Sequence, residues 1–511
     1  MDGNKRIAFN SLIIFSRLCV VSVISLISSR IVLQALGVSD FGLYNVVGGI
    51  VTLLNVVNTA MVSTTYRYIA YELGKGEKGN TNKIFNTSFT IHAGFAVLIL
   101  FLGICVGLFY IYNYLNVSPE KIEDARFVLE MSVVATMIST LFVPFSGLLV
   151  AYEKFHVPAI IDVLANLIRL ALLFFLLYFD GNRIRLYSCI MLMFIVIQNS
   201  LIYLYSRINY KEVIRFNLQT DKNLYKEMFG FSGWILIGAC SSVGKIQGSA
   251  MIINYFFGTI VNGAYAVSNQ VNHFIELFAR SLNKAAIPQI TKNFSGGNKD
   301  RSVMLASYIS KYTFMLMTIV AFPVLLEMDF LLGLWLKDVP EGASVFCKLM
   351  VLCGLIGSVG EGVPALVQAS GKMKYFQMIL STMSLSGLPV SFLLFHIGYP
   401  PYYILMVYCV INGIAAFIRL FLLKKILKID ISTFLDISYL KVAYVSIPLI
   451  VVYALYNPSD FSVTQHLMGL AFSEIVLFAS ILVLGLDKRE WGEIKKFLKN
   501  KRLLMNNNSF N

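Results

Sequence analysis

Five polar and charged residues interrupt an otherwise apolar segment at 261–290. Asn269, His273, Glu276, Arg280 and Lys284 follow one another at spacings of three or four residues. On an α-helix this spacing places all five side chains along one face. An ionisable group inside a membrane costs about 2.5–3.5 kcal/mol on insertion scales, so it is expected to face a partner or a water-filled cavity. This face is therefore a candidate binding surface.

Lys245 is a second candidate, because it lies near the centre of a long apolar run. Ser241 and Gly248 are among its helical neighbours, and small neighbours leave room for water or a bulky anion. The alternative is that a buried lysine forms a structural ion pair with Glu276 or Glu361.

Arg17 is the third cation of this kind, inside the first apolar segment. Arg30 falls on nearly the opposite helical face and near the end of the segment, where a long cation can snorkel toward water. Arg17 is therefore the better candidate. Arg169 and Arg419 lie toward the inner ends of their segments, and snorkelling is expected for them too. Asp162 and Arg169 are predicted to form a self-compensated pair.

The candidate face at 261–290 has a counterpart 221 positions earlier in the chain. The corresponding residues are small or polar: Gly48, Thr52, Asn55, Thr59 and Ser63. Two matched polar faces favour a wet cavity between two halves. The alternative is helix–helix packing, since small and polar residues also serve as contacts between membrane helices.

The candidate groups are predominantly cationic, which favours an anionic ligand, because arginine and lysine bind phosphate oxygens well. Two acidic residues, Glu276 and Glu361, are candidates for carrying a coupling proton or sodium ion, although a structural role for Glu361 is equally plausible. The predicted substrate-binding residues are Arg17, Asn55, Thr59, Lys245, Asn269, His273, Glu276 and Arg280.

The elements that carry these residues are predicted from composition. Hydrophobic residues make up 57% of the 511 residues and charged residues only 14%. Several uncharged runs exceed the roughly 20 residues that cross a bilayer. An all-α polytopic membrane protein is therefore predicted. About 14 spans are expected, near 8–33, 42–70, 86–113, 127–151, 156–179, 185–206, 229–256, 261–290, 304–326, 343–369, 375–397, 402–423, 439–457 and 464–486.

An internal repeat divides these spans into two pseudo-symmetric lobes of six helices, plus two C-terminal helices. LGVSDFGLYNVV at 36–47 returns as FGTIVNGAYAVS at 257–268. VPFSGLLVAYEKF at 143–155 returns as VPALVQASGKMKY at 363–375. Many transporters are built from two such repeats. The expected parts are 1–206 (N-lobe), 207–228 (cytoplasmic linker), 229–423 (C-lobe), 424–487 (two appended spans) and 488–511 (basic cytoplasmic tail).

The net charge of +14 is distributed by loop. If the N-terminus is cytoplasmic, nearly all loop lysines and arginines fall on the cytoplasmic side, so both termini are predicted to face the cytoplasm. Nucleic-acid binding is disfavoured, because no basic region interleaved with aromatic residues is present. No loop is long enough for a soluble catalytic domain, and no ATPase, protease or hydrolase motif is found. No enzyme activity, catalytic residue, cofactor or metal is predicted, and the seven cysteines form no CxxC pair.

The order of spans and motifs resembles the multidrug/oligosaccharidyl-lipid/polysaccharide (MOP) exporter superfamily, a MATE/MOP-like architecture. Within it, the chain is most similar to the Wzx-type flippases of O-antigen and capsular polysaccharide. The matching segments are 36–44 with its echo at 258–265, the loops 72–76 and 296–299, and Pro364 followed by the run 368–374. Each motif alone is weak, but their order and spacing extend over essentially the whole chain.

The resemblance implies a flippase of the bacterial cytoplasmic membrane. Its substrate would be an undecaprenyl-pyrophosphate-linked oligosaccharide repeat unit, moved from the inner to the outer face by alternating access for lipopolysaccharide or capsule synthesis. A polysaccharide polymerase and chain-length proteins are possible partners. In such flippases cations in spans 1, 7 and 8 line the cavity; Arg17, Lys245 and Arg280 match by span. Many related exporters carry an acidic group in span 7, where this chain has Lys245.

Two alternatives remain. A multidrug or metabolite ion-coupled antiporter of the same fold would depend on Glu276 or Glu361 more than on the cations. A membrane polysaccharide polymerase or ligase would need a substantial outer loop, and the widest outer loops here are only about 113–126 and 327–342.

Overall fold

The computed structural model describes residues 3–74, 80–152, 154–458, 461–487 and 490–492. Within those ranges it describes no side chain for 3–15, 54, 56–61, 63, 74, 229–237, 277–288, 292 and 295. The described residues are helical almost throughout, and none of them forms a strand.

The helices follow the two repeats and the two appended spans. The first half contains α1 (Gly3–Gly74), α2 (Thr81–Asn113), a 3-10 turn (Pro119–Lys121), α3 (Ile122–Ala151), α4 (His156–Leu177), α5 (Arg183–Asn209) and the short α6 (Lys211–Ile214). The second half contains α7 (Lys222–Ser295), α8 (Lys299–Leu326), α9 (Met328–Trp335), α10 (Ala343–Ser358), α11 (Gly362–Ala369), α12 (Met373–His396) and α13 (Tyr403–Leu427). Beyond it lie α14 (Ser432–Phe434), α15 (Leu440–Leu455) and α16 (Val463–Ser480), with π-helical turns at Leu435–Tyr439 and Ile481–Gly485.

Each of the two longest helices is broken at one glycine. Gly37 in α1 has φ 76° and ψ 170°, and Gly258 in α7 has φ 77° and ψ −171°. This backbone region is essentially restricted to glycine, because a Cβ atom would clash there. The two glycines are 221 positions apart, so the repeat seen in the sequence is present in the backbone.

Eleven helices of the described chain are long and apolar enough to cross a membrane. The count is twelve when α10 and α11, which meet at 42°, are taken as one bent span. Two of the eleven, Ser16–Leu53 and Gly238–Glu276, contain the glycine breaks and so consist of two segments each. The prediction of about fourteen spans counted the segments on either side of each glycine break separately, and the predicted all-α architecture of a multi-pass membrane protein is confirmed.

Helix starts are also repeated. Asn80 caps α2 by accepting a hydrogen bond from the Lys83 backbone N–H at 2.9 Å. Asn298 caps α8 in the same way, accepting from the Arg301 N–H at 3.2 Å. Asparagine is a strong N-cap because its side chain satisfies an otherwise unpaired N–H of the first turn.

The two segments that follow the glycine breaks cross at a second pair of glycines. A Cβ atom on Gly42 would overlap the carbonyl oxygen of Thr259, and one on Gly263 would lie 2.8 Å from the carbonyl oxygen of Val38. Val38 and Thr259 are equivalent in the repeat, so each glycine packs against the other half's copy of the same position. The hydroxyls of Ser39 and Thr259, 2.9 Å apart, join the same crossing.

The described chain forms two compact units. The first unit comprises 1–271, 332–347 and 377–411, and one of its cores packs Leu43 and Val47 of α1 against Val128 and Leu129 of α3. Because lipid tails are as apolar as leucine, such packing gains mainly from close contacts rather than from removal from water.

The second unit comprises 272–331, 348–376 and 412–511. Its core joins α8 to the appended helices: Met315 and Phe322 of α8 pack with Val445 of α15 and Leu477 of α16. The appended spans are therefore integral to this unit.

Candidate substrate-binding groups in the membrane

Asp162 of α4 is the centre of a polar cluster in the first unit. Its Oδ2 lies 2.7 Å from Nε of Arg17 in α1. Its Oδ1 accepts from Nδ2 of Asn166 at 3.1 Å and from Nε2 of Gln198 in α5 at 3.0 Å. The aspartate side chain is 11% exposed, whereas that of Arg17 is 37% exposed. Three helices therefore hold one carboxylate, and the arginine that pairs with it remains accessible.

The predicted pair of Asp162 with Arg169 differs from the partner found. Asp162 binds Arg17, 145 positions away, and the Arg169 guanidinium lies 5.0 Å from the Phe194 ring centroid in a cation–π contact. Arginine stacks readily on aromatic faces because its charge is delocalised. Arg17 is thus a compensated cation rather than a bare one.

Lys245 lies over an aromatic ring. Its Nζ is 4.3 Å from the ring centroid of Tyr408, a residue of α13 that is 1% exposed. Lys245 itself is half-buried. Gly387 of α12 makes room for this ring, since a Cβ there would meet it at 2.8 Å or less. A cation over a ring is attracted by the negative face of the ring, and this contact leaves the three N–H donors of a lysine available for other partners.

The small neighbours of Lys245 were expected to leave space, and two of them instead receive helix α12. Ser241 donates to the carbonyl oxygen of Ser381 at 3.2 Å, and a Cβ on Gly248 would meet Leu388 at 2.8 Å. The small residues on this side of α7 therefore allow α12 to pack closely, rather than leaving space for water or an anion. Small residues commonly serve this purpose between membrane helices.

The polar face of α7 is described only in part. Asn269 is half-buried and its Nδ2 donates to the Tyr265 carbonyl oxygen at 3.0 Å; Glu276 accepts from Asn272 at 2.8 Å. His273 is exposed and Asn55 of α1 is half-buried. The side chains of Thr59, Arg280 and Lys284 lie outside the described residues, so their assignment remains a prediction.

Glu361 lies at the break between α10 and α11. Its Oε2 is 3.8 Å from Nη1 of Arg419, and the same Nη1 donates to the carbonyl oxygens of Gly357 and Val359 at 2.9 and 3.0 Å. Arg419 was expected to snorkel, but its side chain is only 17% exposed. It satisfies carbonyl groups that the break leaves without helical partners, which is a structural task. The bend lies at Val359–Glu361, where Gly360 has φ 78°.

Two buried ionic groups were missed at the sequence level. Lys311 of α8, which is fully buried, binds Glu490 with Nζ–Oε1 and Nζ–Oε2 distances of 2.6 Å. Glu327 at the end of α8, also fully buried, lies 2.6 Å from Nδ1 of His466 and hydrogen-bonds the Tyr456 hydroxyl. The sequence contains one signal for the first of these groups, the presence of Lys311 inside the apolar span 304–326. Its partner Glu490 follows the last span and is too distant in the sequence to be inferred.

Part of the chain matches a known protein family in sequence. The MatE family model matches residues 13–175. No curated protein matches the chain in sequence. Among solved structures, the lipid II flippase MurJ in an inward closed conformation is similar, with a TM-score of 0.68 and 15% identity over 92% of this chain and 98% of that one.

Multidrug transporters show the same fold. A multidrug resistance MATE family transporter of the MOP superfamily, in an inward-facing conformation, has a TM-score of 0.62 and 14% identity over 81% of this chain and 97% of that one. A MOP superfamily transporter from Pyrococcus furiosus, for which a binding pocket of reverse polarity is described, has a TM-score of 0.59 and 15% identity over 83% of this chain and 96% of that one. The chain therefore has the MatE/MOP transporter fold.

Proposed function

We propose that this protein is a flippase that moves undecaprenyl-pyrophosphate-linked oligosaccharide repeat units from the inner to the outer face of the bacterial cytoplasmic membrane. The side chain of Arg17, which is 37% exposed and is held by Asp162 through one of its nitrogens, carries the proposal. Arginine has five N–H donors, and a pyrophosphate can engage those that Asp162 does not use. Lys245 supplies a second cation from the same unit.

The extent of the fold likeness supports a lipid substrate. The match to MurJ covers 92% of this chain and the match to the inward-facing MATE transporter covers 81%. The two appended spans pack against α8 as part of the second unit. MurJ is named as a lipid flippase, and a lipid-linked substrate is proposed here by that likeness.

The transport step is alternating access. The pyrophosphate binds Arg17 and Lys245, the sugars contact polar residues such as Asn55 and Asn269, and the lipid tail remains in the bilayer. The repeats then move about their interface to expose the substrate to the other side. Both termini would face the cytoplasm, and a polysaccharide polymerase and chain-length proteins would act on the product outside. No covalent chemistry is required, so the protein is a transporter rather than an enzyme.

The test combines deletion with charge variants. Deleting the gene should cause an intact lipid-linked repeat unit to accumulate on the inner face, measured by lipid extraction and mass spectrometry. Arg17→Ala and Lys245→Ala should each reduce complementation, because a hydrogen bond to a charged group contributes about 1.5–3 kcal/mol, or roughly tenfold or more in affinity. Arg30→Ala is the matched control, since Arg30 donates only to the Leu334 carbonyl oxygen at 3.4 Å.

Folding and binding can be separated at Arg17. Arg17→Ala leaves Asp162 without its cation inside the membrane, so it is expected to lower stability as well as transport. The double variant Arg17→Ala/Asp162→Asn removes both charges and should recover the unfolding temperature without recovering transport. Recovery of transport by the double variant would mean that Arg17 serves only to neutralise Asp162, and the pyrophosphate role would be wrong.

An ion-coupled multidrug or metabolite antiporter is the second candidate. The observation that favours it is the presence of carboxylates, Asp162 and Glu361, at cation-paired positions within spans. Such a carboxylate can exchange its cation for a proton or sodium ion during transport. In that case Asp162→Asn or Glu361→Gln should abolish transport while Lys245→Ala leaves it intact, the reverse of the flippase expectation.

A further inference from the structure

A cavity of about 590 Å³ opens at the start of α8 in the second unit. Three lysines from three different segments line it: Lys299 begins α8, Lys372 precedes α12, and Lys428 follows α13. Asp300 and Asp430 also line it. Ligand pockets are typically about 300–1,000 Å³, so the volume suffices for a small charged group with its attachment.

The equivalent cleft in the first half is filled by protein. There, Asn82 at the start of α2 donates through Nδ2 to the carbonyl oxygens of Glu212, Val213 and Arg215 at 3.0, 2.9 and 2.8 Å. The segment that follows α5 therefore lies directly on the start of α2. In the second half, the segment that follows α13 instead lines a cavity beside the start of α8, through Lys428, Asp430 and Thr433.

Residues at equivalent positions differ in charge. Thr81 follows the cap Asn80 of α2, and Lys299 follows the cap Asn298 of α8. Tyr152, whose ring centroid lies 4.5 Å from that of Tyr210, is replaced 220 positions later by Lys372. The neutral Thr81 and the aromatic Tyr152 of the first half thus correspond to Lys299 and Lys372 in the second half.

The third lysine occupies a backbone position that favours glycine. Lys428 has φ 54°, the only positive φ of a non-glycine residue in the described chain. Its N–H donates to the Lys424 carbonyl oxygen at 3.0 Å and closes α13, a place where glycine is usual. The retention of a lysine there places an ammonium group at the cavity at a cost in backbone strain.

One of the two acidic residues, Asp430, already forms hydrogen bonds within its own turn. The Asp430 carboxylate accepts from the Ser432 N–H at 3.1 Å and from the Ser432 hydroxyl at 2.6 Å. These hydrogen bonds hold the pKa of Asp430 below its usual range, so it stays ionised beside the start of α14. Asp300 lies in the first turn of α8, where the helix dipole favours an acidic residue.

We propose that this cavity binds a phosphate group, either on the head group of an anionic lipid or as a soluble phosphate. Lysine ammonium groups and a helix start are the usual partners of phosphate oxygens. The positive-inside distribution predicts that the cavity lies on the cytoplasmic face, where anionic lipids are available. The site lies apart from Arg17 and Lys245 in the sequence, and the proposal does not depend on the identity of the transported substrate.

The experiment measures binding to the purified full-length protein. Phosphatidic acid is titrated in phosphatidylcholine nanodiscs, and inorganic phosphate is titrated against the protein in pure phosphatidylcholine nanodiscs; the unfolding temperature is the readout. A lipid site should respond to phosphatidic acid, and a soluble-phosphate site should respond to inorganic phosphate. The absence of a saturable shift in both arms would overturn the proposal.

Three variants localise the binding. Lys372→Tyr introduces the residue of the first half, and Lys428→Gly relieves the backbone; each should weaken binding about fivefold, the fold-change of roughly 1 kcal/mol per cation near an anionic surface. Lys425→Gln, an exposed lysine of α13 that does not line the cavity, is the control and should bind normally. Equal weakening by the control would mean general surface attraction and would refute a site.

Lys428→Gly also separates a binding role from a structural one. Without ligand, its unfolding temperature should be unchanged or higher, because glycine adopts the positive φ without strain. Weaker binding by a protein that is at least as stable cannot be a folding defect. Unchanged binding by both Lys428→Gly and Lys372→Tyr would overturn the proposal.

Discussion

In both halves of the chain the first long helix breaks at a glycine, the next helix starts at an asparagine cap, and a glycine packs against the other half. Gly37 and Gly258 share their backbone angles, and Gly42 and Gly263 share their crossing. The candidate binding cations Arg17 and Lys245 do not repeat. With the offset of 221, the position of Arg17 corresponds to Gly238, and the position of Lys245 corresponds to Ile24.

The comparison separates two requirements on this sequence. The glycine breaks and glycine crossings are needed in each half, because each half forms the same arrangement of helices. A break in one half cannot replace a break in the other. A charge for binding is needed only once, and an unneeded ionisable group in a membrane is costly. Repeated residues are therefore architectural, and unrepeated ionisable residues are the better functional or anchoring candidates.

The largest difference between the halves is at Lys311. The caps Asn80 and Asn298 are 218 positions apart, so Ala93 of α2 is the equivalent of Lys311 in α8. Only the second half is joined to appended helices. Lys311→Met leaves Glu490 buried without its cation, and breaking a buried pair from one side costs about 3–5 kcal/mol. The unfolding temperature in detergent should fall strongly, whereas Ala93→Ser should change it little.

The double variant sharpens this prediction. Lys311→Met/Glu490→Gln removes both charges, so its unfolding temperature should recover toward that of the native protein. If the two substitutions simply add, the ion pair does not anchor the segment that follows the last span.

The glycine crossing gives the next effect. Gly42→Ala forces a Cβ into the backbone of Thr259, and overpacking of this kind typically costs about 1–3 kcal/mol or more. Gly263→Ala meets Val38 at 2.8 Å, partly through a side chain, and should be milder. Transport and unfolding temperature should both fall further for Gly42→Ala. Gly48→Ala has nothing within 4 Å of the new atom and is the control.

A crosslink tests the crossing directly. Ser39→Cys with Thr259→Cys replaces two hydroxyls that are 2.9 Å apart, so oxidation should link the two halves and stop transport reversibly. Transport that continues after complete crosslinking would show that this contact does not open during the cycle.

The helix breaks allow a test of equivalence. Gly37→Ala and Gly258→Ala each place a Cβ in a backbone region that costs about 1–3 kcal/mol for other residues. Nearly identical angles predict nearly equal losses of stability by thermal unfolding. A large inequality would mean that the two breaks are constrained differently despite their shared geometry.

Hydropathy and residue spacing predicted the all-α multi-pass architecture and the repeat, because a membrane requires long apolar helices with satisfied backbones. They could not predict ion-pair partners. Asp162 has Arg169 two turns away on its own helix, yet it binds Arg17 from another span. Which helix lies beside α4 is decided by packing, and local spacing contains no such information. The glycine pattern near Lys245 was ambiguous for a related reason, since small residues accommodate either water or a neighbouring helix.

The smallest predicted effect compares two aspartates that follow the last long helix of each half. The hydrogen bond from Lys83 to Asp221, with N–H groups of α7, holds the pKa of Asp221 below its usual range; the pKa of Asp430 is lowered mainly by Ser432. A lowered folded-state pKa gives stability that is present above the unfolded value of about 3.9 and is lost as the pH falls through the folded value. Unfolding temperatures measured between about pH 7 and pH 3 should therefore decline less for Asp221→Asn and Asp430→Asn than for the native protein.

High salt should reduce the contribution of Asp221 to stability, because its main partner is an exposed lysine, and should leave the contribution of Asp430 nearly unchanged. Equal salt sensitivity of the two would contradict the assignment of their partners.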